Sequence, residues 1–126
     1  MAQPVRVVIA DDTAHVRRML RSMLELDGFE VVAVVAGGAE LAELVEGGLR
    51  ADVIVLDDRM PGVGGIETAR RVRAARPGQV VLLHTAFPNH RLEQQAAAVG
   101  ISAVLAKVDG LESLEREIAS HATAHR

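Results

Sequence analysis

Residues 51–62 read Ala-Asp-Val-Ile-Val-Leu-Asp-Asp-Arg-Met-Pro-Gly, and the apolar run Val53–Leu56 that ends flush against Asp57-Asp58 decides the fold. Four consecutive aliphatic side chains without polar alternation describe a strand buried on both faces, the signature of a parallel sheet with helices on each side. Pro61-Gly62 then turns the chain. The same construction opens the sequence, where Val5–Ala10 runs into Asp11-Asp12.

On either side of these stretches, short β-branched runs alternate with segments of helical period, which describes repeated βα units. After the first strand a helix starts near Thr13, with Val16, Met19, Leu20, Met23 and Leu24 on one face, and ends at Asp27-Gly28. Phe29–Val35 is the second strand. Gly37-Gly38 opens a short helix carrying Leu41, Leu44 and Val45, which Gly47-Gly48 closes. Past the third strand, the loop Arg59–Gly65 leads to a helix with Ile66, Ala69 and Val72, stopped by Pro77-Gly78. Val80–His84 is the fourth strand; Leu92, Ala96 and Val99 mark the fourth helix, closed by Gly100. Ala103–Ala106 is the fifth strand, and Leu111, Leu114 and Ile118 line a last amphipathic helix, with a loose tail after about Ser120. The expected fold is α/β: a doubly wound, five-stranded parallel sheet of order 2-1-3-4-5, flavodoxin-like, in one domain over 1–126 with its core at about 5–121.

The 126 residues suffice for one domain with a core of its own. Apolar residues make up 49% and charged residues 25%, a globular balance. A net charge of -3 supplies no basic field for direct binding of nucleic acid. Charged residues or glycines interrupt every apolar run before the ~18 residues of a membrane span, so no membrane association is expected. No signal peptide is visible, and without cysteine there is neither a disulfide framework nor a thiolate site; a cytoplasmic location is expected. Thirteen of the fourteen basic residues are arginine. Lys107, the lone lysine, therefore asks for a positional reason.

In this topology the first and third strands meet where the winding reverses, and ligands bind beyond their carboxyl ends. Asp11 and Asp12 follow the first strand, Asp57 and Asp58 the third, Thr85 the fourth and Lys107 the fifth. Carboxylates crowded together repel, and a cation removes that penalty. Mg²⁺, or Mn²⁺, is the hard ion that oxygen donors and a phosphate oxygen suit. A cation beside a carboxylate, a hydroxyl and an ammonium is a layout for phosphoryl transfer, in which positioning and charge neutralisation do most of the catalysis. The carboxylate would be the nucleophile, and both Asp57 and Asp58 qualify on position.

Asp11-Asp12, Asp57 with Met60-Pro61-Gly62 downstream, Thr85-Ala86 and Lys107 together resemble the signature of response-regulator receiver domains, over about Val5 to His121. The resemblance implies that Asp57, by its spacing to Met60-Pro61, accepts the phosphoryl group. It also implies that Asp11, Asp12, Asp57 and the backbone carbonyl of Arg59 hold the metal, and that Thr85, Ala86 and Lys107 contact the phosphoryl group. The donor would be a sensor histidine kinase or a small phosphodonor. Such a domain is a signalling switch, not an enzyme acting on an outside substrate.

Val108-Asp109 after the lysine, where many receivers have proline, together with Ala10-Asp11-Asp12 and Val16-Arg17-Arg18, resembles receivers joined to LuxR-type helix-turn-helix output domains. A DNA-binding output domain outside this chain is therefore an expected partner, and the last helix offers a surface for a homodimer. At the switch position, usually Tyr or Phe, stands Val104, which has no ring to swing. Arg59 and Phe87 occupy the two positions that border the attacking water in the family, so slow self-hydrolysis is expected.

The same residues also admit structural roles. Asp11-Asp12 could cap the first helix, a task Thr13 can perform alone; Thr85 could be an ordinary strand residue, Lys107 a surface lysine and Asp58 a solvated loop residue. His15, His90, His121 and His125 are expected to be exposed, and no metal site built on the histidines is expected. A haloacid-dehalogenase-type phosphatase would need Asp-x-Asp after the first strand, where this chain has an adjacent pair.

Overall fold

The computed structural model describes residues 3–125. Five strands and five helices alternate: β1 (Arg6–Ala10), α1 (Ala14–Leu26), β2 (Glu30–Val35), α2 (Gly38–Glu46), β3 (Val53–Asp57), α3 (Gly65–Ala75), β4 (Val80–Thr85), α4 (His90–Ala98), β5 (Ala103–Ala106) and α5 (Gly110–His125), with a 3-10 turn at Lys107–Asp109. The strands form one parallel sheet in the order β2-β1-β3-β4-β5. This is the doubly wound topology expected from the alternation of strand and helix patterns.

Side-chain parity separates the two layers. Val7, Ile9, Val53, Val55, Val80 and Leu82 pack with Leu20 and Leu24 of α1 and with Leu114, Ile118 and Ala122 of α5. Val8, Ala10, Ile54, Leu56, Val81 and Leu83 face the opposite way, onto α2, α3 and α4. The three central strands are buried almost throughout, as an unbroken apolar run requires. The edge strands depart from that expectation: Glu30 of β2 is exposed and all four residues of β5 are only half-buried, since an edge has one neighbour.

Several local expectations are corrected. β1 and β2 each start one residue later than the apolar runs suggest, whereas β3 and β4 run one residue further, taking Asp57 and Thr85 into the ladder. Met19 and Met23 do not join the α1 core face; they are 48% and 36% exposed, because a helix on a sheet buries a narrow stripe, here Leu20 and Leu24. Leu44 of α2 is likewise exposed. The chain after Ser120 is not loose: α5 runs to His125 and Ala122 is fully buried. Thr13 takes the N-cap position of α1 but makes no side-chain cap; its backbone N–H instead donates to Asp11 Oδ1 at 2.9 Å.

Two contacts place the edge where the strands end. Gly65 starts α3 directly on the end of β3: its N–H donates to Asp58 O at 3.0 Å, and a Cβ there would lie 2.5 Å from Asp57 O. Only glycine allows that approach. At the start of α1, Arg17 Nη1 donates to Asp11 O at 2.8 Å and ties the helix to the end of β1.

Candidate functional site

Asp11, Asp12 and Asp57 come together at the carboxyl edge of β1 and β3, each offering a carboxylate oxygen within 4.8 Å of the others. Asp11 and Asp57 are buried and Asp12 is exposed. Lys107, in the turn after β5, crosses the end of β4 to reach them. Its Nζ donates to Asp11 Oδ2 at 2.9 Å and stands 3.4 Å from Asp57 Oδ2. The ammonium therefore bridges the two buried carboxylates, from a residue 96 positions away from Asp11.

The charges do not balance. Burial first, and the Asp11 charge second, raise the Asp57 carboxyl from 3.8 to about 6, against the opposing pull of Lys107 and the Arg59 N–H. Burial would lower the Lys107 ammonium, but the Asp11 hydrogen bond and the carboxylate charges outweigh it and hold the group above its usual value. Two buried carboxylates and a third at the rim share one ammonium, an excess of negative charge that a hard cation would relieve. Oxygen donors only, on a half-open edge, suit Mg²⁺ or Mn²⁺ by donor chemistry.

Around this core, Thr85 ends β4 one residue beyond His84, the register partner of Asp57. Its side chain is buried and Oγ1 accepts the Phe87 N–H at 3.1 Å, which leaves the hydroxyl hydrogen free to donate elsewhere. Ala86 is exposed at the same edge. Arg59 stacks its guanidinium over the Phe87 ring, 5.5 Å from the centroid, and its N–H approaches Asp57 Oδ1 at 3.4 Å. Both side chains are largely exposed, so the pair covers the rim without filling the pocket. Val104 pairs with Leu83 in the β4–β5 ladder and packs half-buried on the α2–α4 side, away from the acidic cluster.

Asp58 is not a solvated loop residue. Its side chain is 13% exposed and lies 3.9 Å from Arg59 Nε. Among the histidines, His15 and His90 are exposed, whereas His121 is partly buried, 4.0 Å from Glu117 Oε2 one helical turn away. The His125 side chain lies outside the described residues. Two neighbours of the site had no clear signal in the sequence. Arg17, which braces Asp11, could be found only from its place six residues after that aspartate. His84 is buried on the sheet face shared with Asp57 and Lys107; burial first, then Lys107, lower it from 6.5 to about 4, and its Nδ1 has no hydrogen-bond partner. A histidine closing an apolar strand was legible, but its neighbours were not.

Comparison with known proteins agrees with the fold. The family model for the response regulator receiver domain matches residues 7–119. The transcriptional regulatory protein PdtaR of Mycobacterium tuberculosis is 35% identical over 113 residues, 90% of this chain and 54% of that protein. This chain thus spans about half the length of that relative. The receiver domain of the response regulator NarL from Mycobacterium tuberculosis superposes with a TM-score of 0.87 at 31% identity, covering 97% of this chain and 98% of that one. A LuxR-family DNA-binding response regulator from Staphylococcus aureus gives 0.86 at 25% identity, covering 94% and 98%. The chain belongs to the receiver domains of two-component response regulators, and its structural neighbours include the LuxR family. Phosphorylation and Mg²⁺ binding at an acidic pocket are general to that family. No helix among the described residues is long and apolar enough to cross a membrane.

Proposed function

We propose that the whole chain is one receiver domain that takes a phosphoryl group on Asp57 from a sensor histidine kinase. The reading rests on the Lys107 ammonium lying within 3.4 Å of both Asp11 and Asp57. An Asp57 oxygen attacks phosphorus, the P–N bond of the kinase phosphohistidine breaks, and the departing imidazole takes up a proton. Asp11, Asp12, the Asp57 side chain and the Arg59 carbonyl would hold Mg²⁺ or Mn²⁺, which supplies charge neutralisation at the phosphoryl oxygens. Lys107 supplies a point charge on the other side, and the Thr85 hydroxyl and the Ala86 N–H donate to the oxygens. Asp58, salt-bridged to Arg59, is not the acceptor.

The pair Arg59–Phe87 shields the acyl phosphate from water, giving slow self-hydrolysis. Phe87→Ala should shorten the lifetime of the phosphorylated form; an unchanged lifetime removes Phe87 from the account. Val104 leaves the Thr85 movement without an aromatic relay, so coupling to the face of α4 and β5 is weaker than in receivers with one. Phosphorylation shifts a two-state equilibrium that an output reads, either a DNA-binding domain outside this chain or a second copy through α5, in the cytoplasm. The test is phosphoryl uptake from a small phosphodonor. Uptake in Mg²⁺ that EDTA abolishes supports the reading, and equal uptake in EDTA refutes it.

A further inference from the structure

A surface cavity lies at the opposite, amino-terminal edge of the sheet, far from the acidic cluster. It measures about 370 Å³ and is lined by Arg50, Arg76 and the turn Pro77-Gly78-Gln79. A neighbouring cavity of about 290 Å³ is lined by Arg6, Asp52 and again by Arg50 and Arg76, so the two form one continuous groove. Of its three arginines, Arg6 pairs its guanidinium with Glu30 at 3.6 Å, while its backbone N–H donates to Asp52 Oδ2 at 2.8 Å. Arg50 and Arg76 do not pair: among the described residues, neither guanidinium makes an ion pair or a hydrogen bond. In the first cavity two unpaired guanidiniums therefore share a lining without a carboxylate, and like charges repel; the groove's carboxylate, Asp52, lies in the neighbouring half.

The helix dipole does not account for both. Arg76 is the C-cap of α3, where a cation is favoured, but Arg73 already places a cation in the last turn, its Nη1 donating beyond the helix to Gln79 O at 2.6 Å. Arg50 stands four residues beyond the end of α2. A guanidinium presents a planar fork of donors that matches phosphate oxygens in pairs, and two of them bordering a groove of this size suit a group with several such oxygens.

We infer that the Arg50–Arg76 groove is a binding site for a small phosphate-bearing anion, separate from the phosphorylation edge. The phosphate sits against the two guanidiniums, and the half lined by Arg6 and Asp52 takes whatever the phosphate carries. Because the groove shares no residue with the acidic cluster, its occupancy does not need Mg²⁺ or a free Asp57.

Calorimetric titration of the full chain in EDTA with inorganic pyrophosphate, orthophosphate and AMP tests this. Pyrophosphate should bind with a dissociation constant of about 1 mM or below, more weakly at high salt. Arg50→Ala and Arg76→Ala should each weaken it about tenfold or more, whereas Arg18→Ala and Arg91→Ala, exposed arginines elsewhere, should change it less than about twofold. Arg50→Lys and Arg76→Lys keep the charge and the fold, and should still lose affinity because the fork is gone. Tighter binding of AMP than of orthophosphate would assign the Arg6–Asp52 half to a nucleoside; equal binding would leave the phosphate as the whole ligand. Absence of binding by all three probes up to about 10 mM, or equal losses in the Arg18 and Arg91 variants, would overturn the site.

Discussion

Replacing Asp57 by asparagine should stabilise the metal-free protein near neutral pH, although it deletes the proposed reacting group. The buried carboxyl is raised from 3.8 to about 6, so above pH 6 the fold carries a charge it would rather not ionise. Between those values the native state binds more protons than the unfolded chain, and stability falls as pH rises. The contribution is whole below pH 3.8 and lost above about 6. At about 1.4 kcal/mol per pH unit, that gap corresponds to about 3 kcal/mol. The variant also gives up the 3.4 Å approach of Lys107, which keeps its 2.9 Å hydrogen bond to Asp11. The net expectation is a gain of about 1–3 kcal/mol at pH 7.5 that shrinks toward zero at pH 4. Urea unfolding in EDTA, followed by far-ultraviolet circular dichroism because the chain has no Trp or Tyr, measures it. An asparagine variant no more stable than wild type at pH 7.5, or a gain that persists at pH 4, would refute the reasoning. With Mg²⁺ present the ranking should narrow or reverse, since the cation stabilises only the form that binds it.

The remaining predictions concern the neighbours of that carboxyl. His84 is lowered to about 4, so its contribution is present above pH 6.5 and lost as pH falls toward 4; His84→Leu should flatten up to about 3 kcal/mol of acid destabilisation in unfolding curves across that window. An unchanged pH profile would mean that the imidazole is solvated. Lys107→Ala should slow phosphoryl uptake about tenfold or more, and Lys107→Arg should not restore it, since a planar fork does not replace a point charge between two carboxylates. Gly65→Ala should cost about 1–3 kcal/mol, since the added methyl meets the backbone of Asp57 and Asp58. It should also slow phosphorylation by displacing the end of β3, which a stability-matched core variant such as Ile118→Val would not do.

The fold was legible because its signals are one-dimensional. Apolar runs such as Val53–Leu56 and helical periods such as Leu111, Leu114, Ile118 translate directly into buried strands and covering helices, and the sheet order follows from handed crossovers. The gathering of the candidate residues was legible for the same reason: they stand at strand ends or just past them, and topology gathers strand ends. What the sequence withheld depends on lateral contact. Nothing in Met19 or Met23 says how wide a stripe α1 buries, and Thr13 looked like a cap until Asp11 took its N–H. The burial of His84 beside Asp57, the bracing of Asp11 by Arg17, and the convergence of Arg50 with Arg76 join residues whose spacing carries no period.

Intact-mass measurement after incubation with Mg²⁺ and a small phosphodonor, on wild type, Asp57→Asn and Asp58→Asn, addresses the assignment of the acceptor most directly. Wild type and Asp58→Asn should each gain the mass of one phosphoryl group, and Asp57→Asn should gain none. Uptake by the Asp57 variant, or its loss in the Asp58 variant alone, would contradict the account.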